Sequence, residues 1–258
     1  MFSLEGKNAF ITGGAAGIGL AVAERFVLAG AKVVIADMQD GTAEAERIGA
    51  HYLYLNVTDE ARFKEALDEA VALNGKLDIV VHNAGITGKD NYVKLVDGNV
   101  DHLRQVLEVN TIGVFIGLKN APGYMNDGGS MIITSSLSAV MAVPGNGQYT
   151  ATKAAISQLG RISALELGPR GIRVNSILPS YIRTSMGASG LGDLVASKLT
   201  AAGRISEVEE VVGVYHFLAA DESRYVNGQM INVDGGWSAG VSDQLMEQYR
   251  DESGWDDA

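Results

Sequence analysis

The chain has 258 residues, enough for one large α/β domain or two small ones with a sizeable core. Its formal net charge of −11 argues against nucleic acid or an anionic membrane as a partner. Cysteine is absent, which excludes disulfides and thiolate metal sites, and the four histidines (His51, His82, His102, His216) are isolated, without metal-ligand spacing.

Met1 to Lys7 lack the basic and apolar regions of a secretory signal, and no apolar run is long enough to span a bilayer, so a cytoplasmic protein is expected. Asn8 to Ile11 reads as a short buried strand, followed by the glycine-rich turn Thr12-Gly13-Gly14-Ala15-Ala16-Gly17-Ile18-Gly19. Ile18, Val22, Phe26 and Val27 then recur at helical spacing until Gly30. A strand that turns into a helix through glycines offers unpaired N–H groups and a partial positive charge to a pyrophosphate. Lys32 to Ala36 makes a second strand ending in Asp37, and Tyr52 to Leu55 a third ending at Asn56. Thr58 is expected to cap a helix running to about Leu73, with Asp59 and Glu60 in its first turn. Leu77 to His82 reads as the fourth strand, leading into Asn83-Ala84-Gly85, and the pattern predicts one helix from about Val100 to Lys119.

Met131 to Thr134 reads as the fifth strand, running into Ser135-Ser136, and a long helix is expected from about Gln148 to Leu167. Ile172 to Ile177 is the sixth strand, with Pro179 just beyond. Residues 180–203, rich in Gly, Ala and Ser, read as a mobile flap over a site. A helix near Ser206–Ala219 and a strand Gln229–Val233 close the pattern before Asp234-Gly235-Gly236. Alternating strands and helices of this kind predict a single-domain, doubly wound, seven-stranded parallel sheet over residues 1–240, with helices on both faces. Residues 241–258 form an acidic tail, six carboxylates against Arg250 alone.

Open parallel sheets bind ligands beyond the carboxyl ends of their strands, where the strand order reverses. The glycine turn, Asp37, Asn83, Ser136 and Pro179 all follow strands on that edge. Asp37 lies 24 residues after Gly13, where a carboxylate accepts hydrogen bonds from both ribose hydroxyls of an adenosine. It would repel a 2′-phosphate, and residues 38–40 supply no Arg or Lys, which favours NAD over NADP. Tyr149 and Lys153 are four apart on a predicted helix and so share one face. Bringing a tyrosine from its usual pKa of about 10 to neutrality takes about 4 kcal/mol. An ammonium at about 4 Å supplies about that much at an effective dielectric of about 20. Ser136, 13 residues before Tyr149, is placed to donate to the same substrate oxygen.

Assembled in this order, the motifs resemble those of the NAD(P)-dependent short-chain dehydrogenase/reductases, over about Leu4 to Gly236. The resemblance implies a Rossmann-type sheet, NAD as cofactor and a metal-free interconversion of an alcohol and a ketone. It assigns Asn110, Ser136, Tyr149 and Lys153 to the four catalytic positions. Tyr149 would exchange the proton, Ser136 hold the substrate oxygen, and Lys153 lower the tyrosine pKa and bind the nicotinamide ribose. Asn110 would prop a water in a proton relay through Lys153. The cofactor would touch Gly13, Ala16, Gly17, Ile18 and Gly19 of the turn, then Asp37, Asn56 and Val57. Asn83, Ala84, Gly85, Pro179, Ile182 and Thr184 complete that surface, together with Tyr149 and Lys153. Ser138, Val140, Met141, Val143, Tyr181, Met186 and Leu191 would wall the substrate pocket, with Arg183 the one basic group near it.

Three positions depart from the family pattern: Asn56 in place of the usual Asp, His82 in place of an Asn, and Ser180 in place of a Gly. An Asn56 carbonyl is still expected to accept from the adenine amino group. The pocket residues favour a mostly apolar secondary alcohol or ketone. A 3-oxoacyl thioester reductase is the nearest alternative, and a nucleotide-binding regulatory module without turnover is another. The helices over 100–119 and 149–167 carry apolar residues on more than one face, so a homo-oligomer, dimer or tetramer, is expected. Leu245, Met246, Tyr249 and Trp255 would anchor the tail on a neighbouring subunit, the favoured reading, against the alternative that its charge leaves it disordered.

Overall fold

The computed structural model describes residues 2–88, 92–184, 186 and 190–254. Seven strands form one parallel sheet: β1 (Asn8–Thr12), β2 (Lys32–Asp37), β3 (His51–Tyr54), β4 (Leu77–His82), β5 (Met125–Thr134), β6 (Arg173–Pro179) and β7 (Met230–Val233). Their order is β3-β2-β1-β4-β5-β6-β7, and every neighbouring pair is parallel, as the alternation of strands and helices predicts. After β3 the chain crosses to the far side of β1, so the order reverses between β1 and β4. The loops leaving those two strands diverge there and open a crevice.

Each central strand is apolar on both faces because helices cover both. Ile11, Val33, Ile35 and Val81 pack with Val22 and Phe26 of α1 (Gly17–Leu28), beside α2 (Thr42–Ile48). On the opposite face Phe10, Val34 and Val80 pack with Phe63 and Leu67 of α3 (Glu60–Asn74). The two faces alternate along each strand with the two-residue period of the pleat.

Several local expectations change. Asp59, rather than Thr58, caps α3, its carboxylate accepting from Arg62 N at 3.0 Å. Thr58 instead closes a turn on Asn56, whose Oδ1 accepts from its backbone N–H and its hydroxyl. The predicted helix 100–119 is two helices, α4 (Val100–Leu107) and α5 (Gly113–Asn120), joined by a π-helical turn over Glu108–Ile112. The wider turn accommodates one extra residue and re-aims the side chains within it, Asn110 among them. β5 begins earlier than predicted, at Met125, which pairs with Leu77 of β4 before a register shift brings Ser130 opposite Ile79. α6 (Gly147–Leu167) forms as expected.

Residues 180–203 are not wholly a flap, since α7 (Gly190–Leu199) occupies the second half. α8 (Val208–Ala219) opens with a reciprocal capping box between Glu207 and Glu210 and buries Val211, Tyr215 and Leu218 against the sheet. Much of the tail is helical, as α9 (Asp243–Ser253). Ser242 caps α9 by accepting from Leu245 N at 3.2 Å, and its hydroxyl also donates to Lys198 O at the end of α7. α9 is thus tied to α7 of its own chain, while Trp255 lies outside the described residues. Among the described residues no helix is long and apolar enough to cross a membrane.

The His82 substitution has a structural consequence. Its ring is buried at the end of β4, with Nε2 unpartnered, and a Cβ on Gly117 of α5 would come within 2.4 Å of it. Burial pushes its pKa down to about 4, so the unfolded chain binds a proton between pH 6.5 and 4 that the folded chain refuses. Stability is therefore full above pH 6.5 and falls as the pH drops towards 4, by up to about 3 kcal/mol from this group. Urea denaturation at pH 7.5 and 4.5 should show His82→Asn losing markedly less stability than the parent over that interval. Equal losses would show that His82 does not carry the linkage.

Candidate active site

The ends of β1, β4 and β5, beside the order reversal, present a linked set of polar groups. Thr12 Oγ1, at the end of β1, accepts from Asn83 N at 3.1 Å and Ala84 N at 3.2 Å beyond β4. Asn83 Nδ2 donates back to Gly13 O at 2.9 Å, and Asn83 Oδ1 accepts from Thr134 Oγ1 of β5 at 3.0 Å. One amide therefore holds three strand ends in register. Gly13 has φ +66°, and a Cβ there would sit 2.8 Å from Ala84 Cα.

A cavity of about 430 Å³ opens over this edge. Gly13, Ala16, Gly17, Ile18, Asp37, Asn56, Val57, Asn83, Ala84 and Gly85 line one end of the set that borders it, and Pro179, Ile182 and Thr184 approach from the β6 loop. Gly19 does not line it. It lies underneath, where a Cβ would come within 2.1 Å of Gly13 O, so its lack of a side chain lets α1 pack against the turn. Gly17, at φ +53°, begins α1 and leaves its N-terminus open to the cavity. The Asp37 carboxylate is fixed by Ala15 N at 3.1 Å and Gln39 N at 3.0 Å, one to each oxygen. An anion-binding helix end, a glycine cradle and a ribose-height carboxylate in one crevice fit a dinucleotide. Asn56 fits less well than expected: both lone pairs of its Oδ1 are engaged by Thr58, so the carbonyl is not free for an adenine amino group.

Ser136, Tyr149 and Lys153 meet in the same cavity. Ser136 leaves β5 and its hydroxyl bonds the Tyr149 phenol, while accepting from Ser138 N at 3.2 Å. Ser135 turns the other way, buried against Lys153 O and Ser157 Oγ, which makes it structural. Lys153 Nζ donates to Thr134 O at 2.9 Å and stands 5.6 Å from the centre of the Tyr149 ring. The electrostatics differ from the expectation that Lys153 lowers the tyrosine pKa. Burial pushes Tyr149 up to about 12, partly offset by the Ser136 hydrogen bond, and burial pushes Lys153 down to about 8. Both charged forms lose water, and at this separation desolvation outweighs their attraction.

Asn110 is fully buried and does not line the cavity. Its Oδ1 accepts from Ile86 N at 2.8 Å, and its Nδ2 donates to Ile86 O at 2.8 Å and Thr152 Oγ1 at 3.2 Å. Thr152 Oγ1 in turn donates to Tyr149 O at 2.7 Å, so Asn110 ties the loop after β4 to the turn of α6 that carries Tyr149. A Cβ on Gly85 would lie 3.2 Å from Asn110 Oδ1 and 3.4 Å from Lys153 Nζ, so glycine keeps the space between those groups clear.

At the substrate end, Ser138, Met141, Val143, Tyr181 and Met186 line the cavity. Val140 and Leu191 do not: both are exposed, Val140 just past the short 3₁₀ turn Leu137–Ala139 and Leu191 in the first turn of α7. Arg183 points elsewhere too, paired with Glu207 at 2.9 Å and Asp193 at 3.4 Å. Tyr92 and Trp237 line the cavity without having been foreseen. Tyr92 sits in a loop and Trp237 opens the short 3₁₀ turn Trp237–Ala239, positions that no periodicity marks, and Trp237 had one available signal, its place right after Gly235-Gly236.

Residues 13–238 match a family described as enoyl-(acyl carrier protein) reductase. A borneol dehydrogenase, mitochondrial, from Lavandula x intermedia is 39% identical over 240 residues, covering 91% of this chain and 92% of the relative. A 3-alpha-(or 20-beta)-hydroxysteroid dehydrogenase from Mycobacterium tuberculosis is 39% identical over 247 residues, covering 93% and 92%. A solved short-chain dehydrogenase/reductase from Serratia marcescens superposes with a TM-score of 0.85 at 33% identity, over 91% of this chain and 99% of that one. With its doubly wound parallel sheet and its cradle at the order reversal, the chain belongs to the short-chain dehydrogenase/reductase family.

Proposed function

We propose that the protein is an NAD(H)-dependent oxidoreductase interconverting a mostly apolar secondary alcohol and its ketone. The observation that carries this reading is the convergence of Ser136, Tyr149 and Lys153 on the cavity that also contains the glycine cradle and Asp37. The bound nicotinamide dinucleotide would supply the hydride acceptor or donor for the carbinol carbon. Its pyrophosphate would be held by the turn and the α1 N-terminus, its adenosine ribose by Asp37, and its nicotinamide ribose by Lys153. Relatives named for borneol and for a hydroxysteroid support an alcohol substrate. Because Arg183 is paired with Glu207 and Asp193, no basic side chain described at the cavity other than Lys153 is available for a carboxylate or phosphate.

Tyr149 carries the proton. With its pKa at about 12 the phenol is protonated at neutral pH, the form that donates to a ketone oxygen. In the oxidative direction the phenol first releases its own proton to solvent, and the phenolate so formed takes the alcohol proton; the positive charge of Lys153 and the Ser136 hydroxyl stabilise that phenolate. Ser136 also orients the substrate oxygen towards Tyr149. Asn110 acts as a positioning residue, holding α6 and the β4 loop around Lys153. We further propose that the protein is a homo-oligomer, because Phe115 of α5 and Ile162 and Leu165 of α6 are exposed on neighbouring helices.

Three measurements test these points. NADH formation at mildly alkaline pH over a panel of secondary alcohols should be lowered about 100-fold or more by Tyr149→Phe. Failure of every alcohol to react, with NADH still bound tightly, would replace the enzyme by a regulatory module. Asp37→Ser should raise the NADP-to-NAD ratio of kcat/KM by about tenfold or more, by removing a like charge from the 2′-phosphate position. An unchanged ratio would remove the argument for NAD. Light scattering should give a multiple of the 27.2 kDa chain mass, and a monomer at micromolar concentration would end the oligomer proposal.

A further inference from the structure

Tyr92, from the loop beyond β4, and Tyr181, from the loop beyond β6, place their hydroxyl oxygens 3.2 Å apart. In the sheet order, β5 and the Ser136 that follows it lie between those two strands, so the pair spans the crevice from one flank of the catalytic strand to the other. Both residues line the cavity that holds Ser136 and Tyr149. Tyr181 is stacked on Trp237, with ring centres 5.8 Å apart and planes at 15°. Trp237 is itself posted by Asp234, which accepts from Gly236 N at 3.0 Å and Ser238 N at 2.9 Å. Tyr92 has a backbone φ of +66°, costly for a non-glycine residue, and it rests on Gly145, where a Cβ would come within 2.7 Å of its Cα.

Two phenols bring two O–H donors, and a single hydrogen bond between them uses one. The other remains for a ligand or for water. Burial, reinforced by the Tyr92 contact, raises the Tyr181 pKa, so this group stays a donor throughout the working pH range. A stacked aromatic pair also makes a flat, stiff wall, which contacts the face of a ring over more area than it contacts a branched chain. We propose that Tyr92 and Tyr181 select substrates in which the reacting carbon belongs to a ring bearing a second oxygen that accepts the spare O–H. The inference rests on the oxidoreductase reading above and names the substrate class of that same site.

The test compares reduction of 4-hydroxycyclohexanone and 4-methylcyclohexanone by NADH, two ketones of similar shape that differ in the remote oxygen. The parent protein should favour the hydroxyketone in kcat/KM by about fivefold or more, the effect of one net hydrogen bond. In Tyr92→Phe/Tyr181→Phe, which keeps both rings, the ratio should fall to near one. Because each ratio is taken within one protein, a loss of active fraction cancels. Quenching of Trp237 fluorescence in a Trp255→Phe background gives a readout free of turnover, and the hydroxyketone should bind about fivefold more tightly. A ratio near one in the parent, or a ratio that survives the double substitution, would overturn the selection role while leaving the oxidoreductase intact. Reduction of neither ketone, nor of any other carbonyl compound, would overturn both.

Discussion

The side-chain amide of Asn83 is the joint on which the site depends. Parallel strands pair along their lengths, but nothing in the ladder fixes how their emerging loops sit relative to one another. Asn83 does this with two atoms: Nδ2 on Gly13 O and Oδ1 on Thr134 Oγ1. Through them the glycine turn after β1 and the end of β5, which leads into Ser136, are held to one another. Thr134 also bonds the buried Tyr215 hydroxyl of α8 at 2.8 Å, and its carbonyl accepts from Lys153, which extends the same network to α6. An amide suits the joint because it donates and accepts at once and has no charge to lose on burial.

Around that joint the dominant electrostatic term is desolvation. Tyr149 and Lys153 are both shifted towards their neutral forms, one upward and the other downward. A phenol that keeps its proton is ready to donate it, and a lysine near neutrality responds strongly to any further charge brought beside it. The pair is therefore poised, with the free energy of ionisation left to be supplied by what enters the crevice. His82 shows the same term without a catalytic use. Its ring fills space between β4 and Gly117 of α5, at the cost of a group that resists protonation.

Much of this was legible in the sequence, for identifiable reasons. The parallel, doubly wound sheet follows from alternating apolar runs and helical periods, because both faces of the sheet must be covered. The turn between β1 and α1 was readable because its glycines mark it, and Gly13 and Gly17 adopt the positive φ that glycine tolerates best. The single helix expected over 100–119 hid a π-turn, because hydrophobic spacing averages over one inserted residue. Thr58 looked like a cap because a hydroxyl preceding an acidic pair fits that pattern, yet Asp59 stands one residue nearer the first free N–H groups. Asn56 was misjudged for the reverse reason. Its partner is two residues away, and a turn closed by an amide leaves no periodic trace.

The limit falls between the two ends of the cavity. One end of the cavity is lined largely by backbone, glycines and one carboxylate at the end of a strand, all tied to the sheet by register. The other end is lined by side chains from the four segments after β4, β5, β6 and β7, and its contacts, Tyr92 with Tyr181 and Tyr181 with Trp237, join residues that are far apart in sequence. Such pairings arise only when β4, β6 and β7 have already brought their loops to one edge. The same separation lets the fold keep one reaction while changing its substrate, since loop side chains can be exchanged without disturbing the Asn83 joint. In this chain those loop positions hold a stacked and hydrogen-bonded set of aromatic side chains, Tyr92, Tyr181 and Trp237.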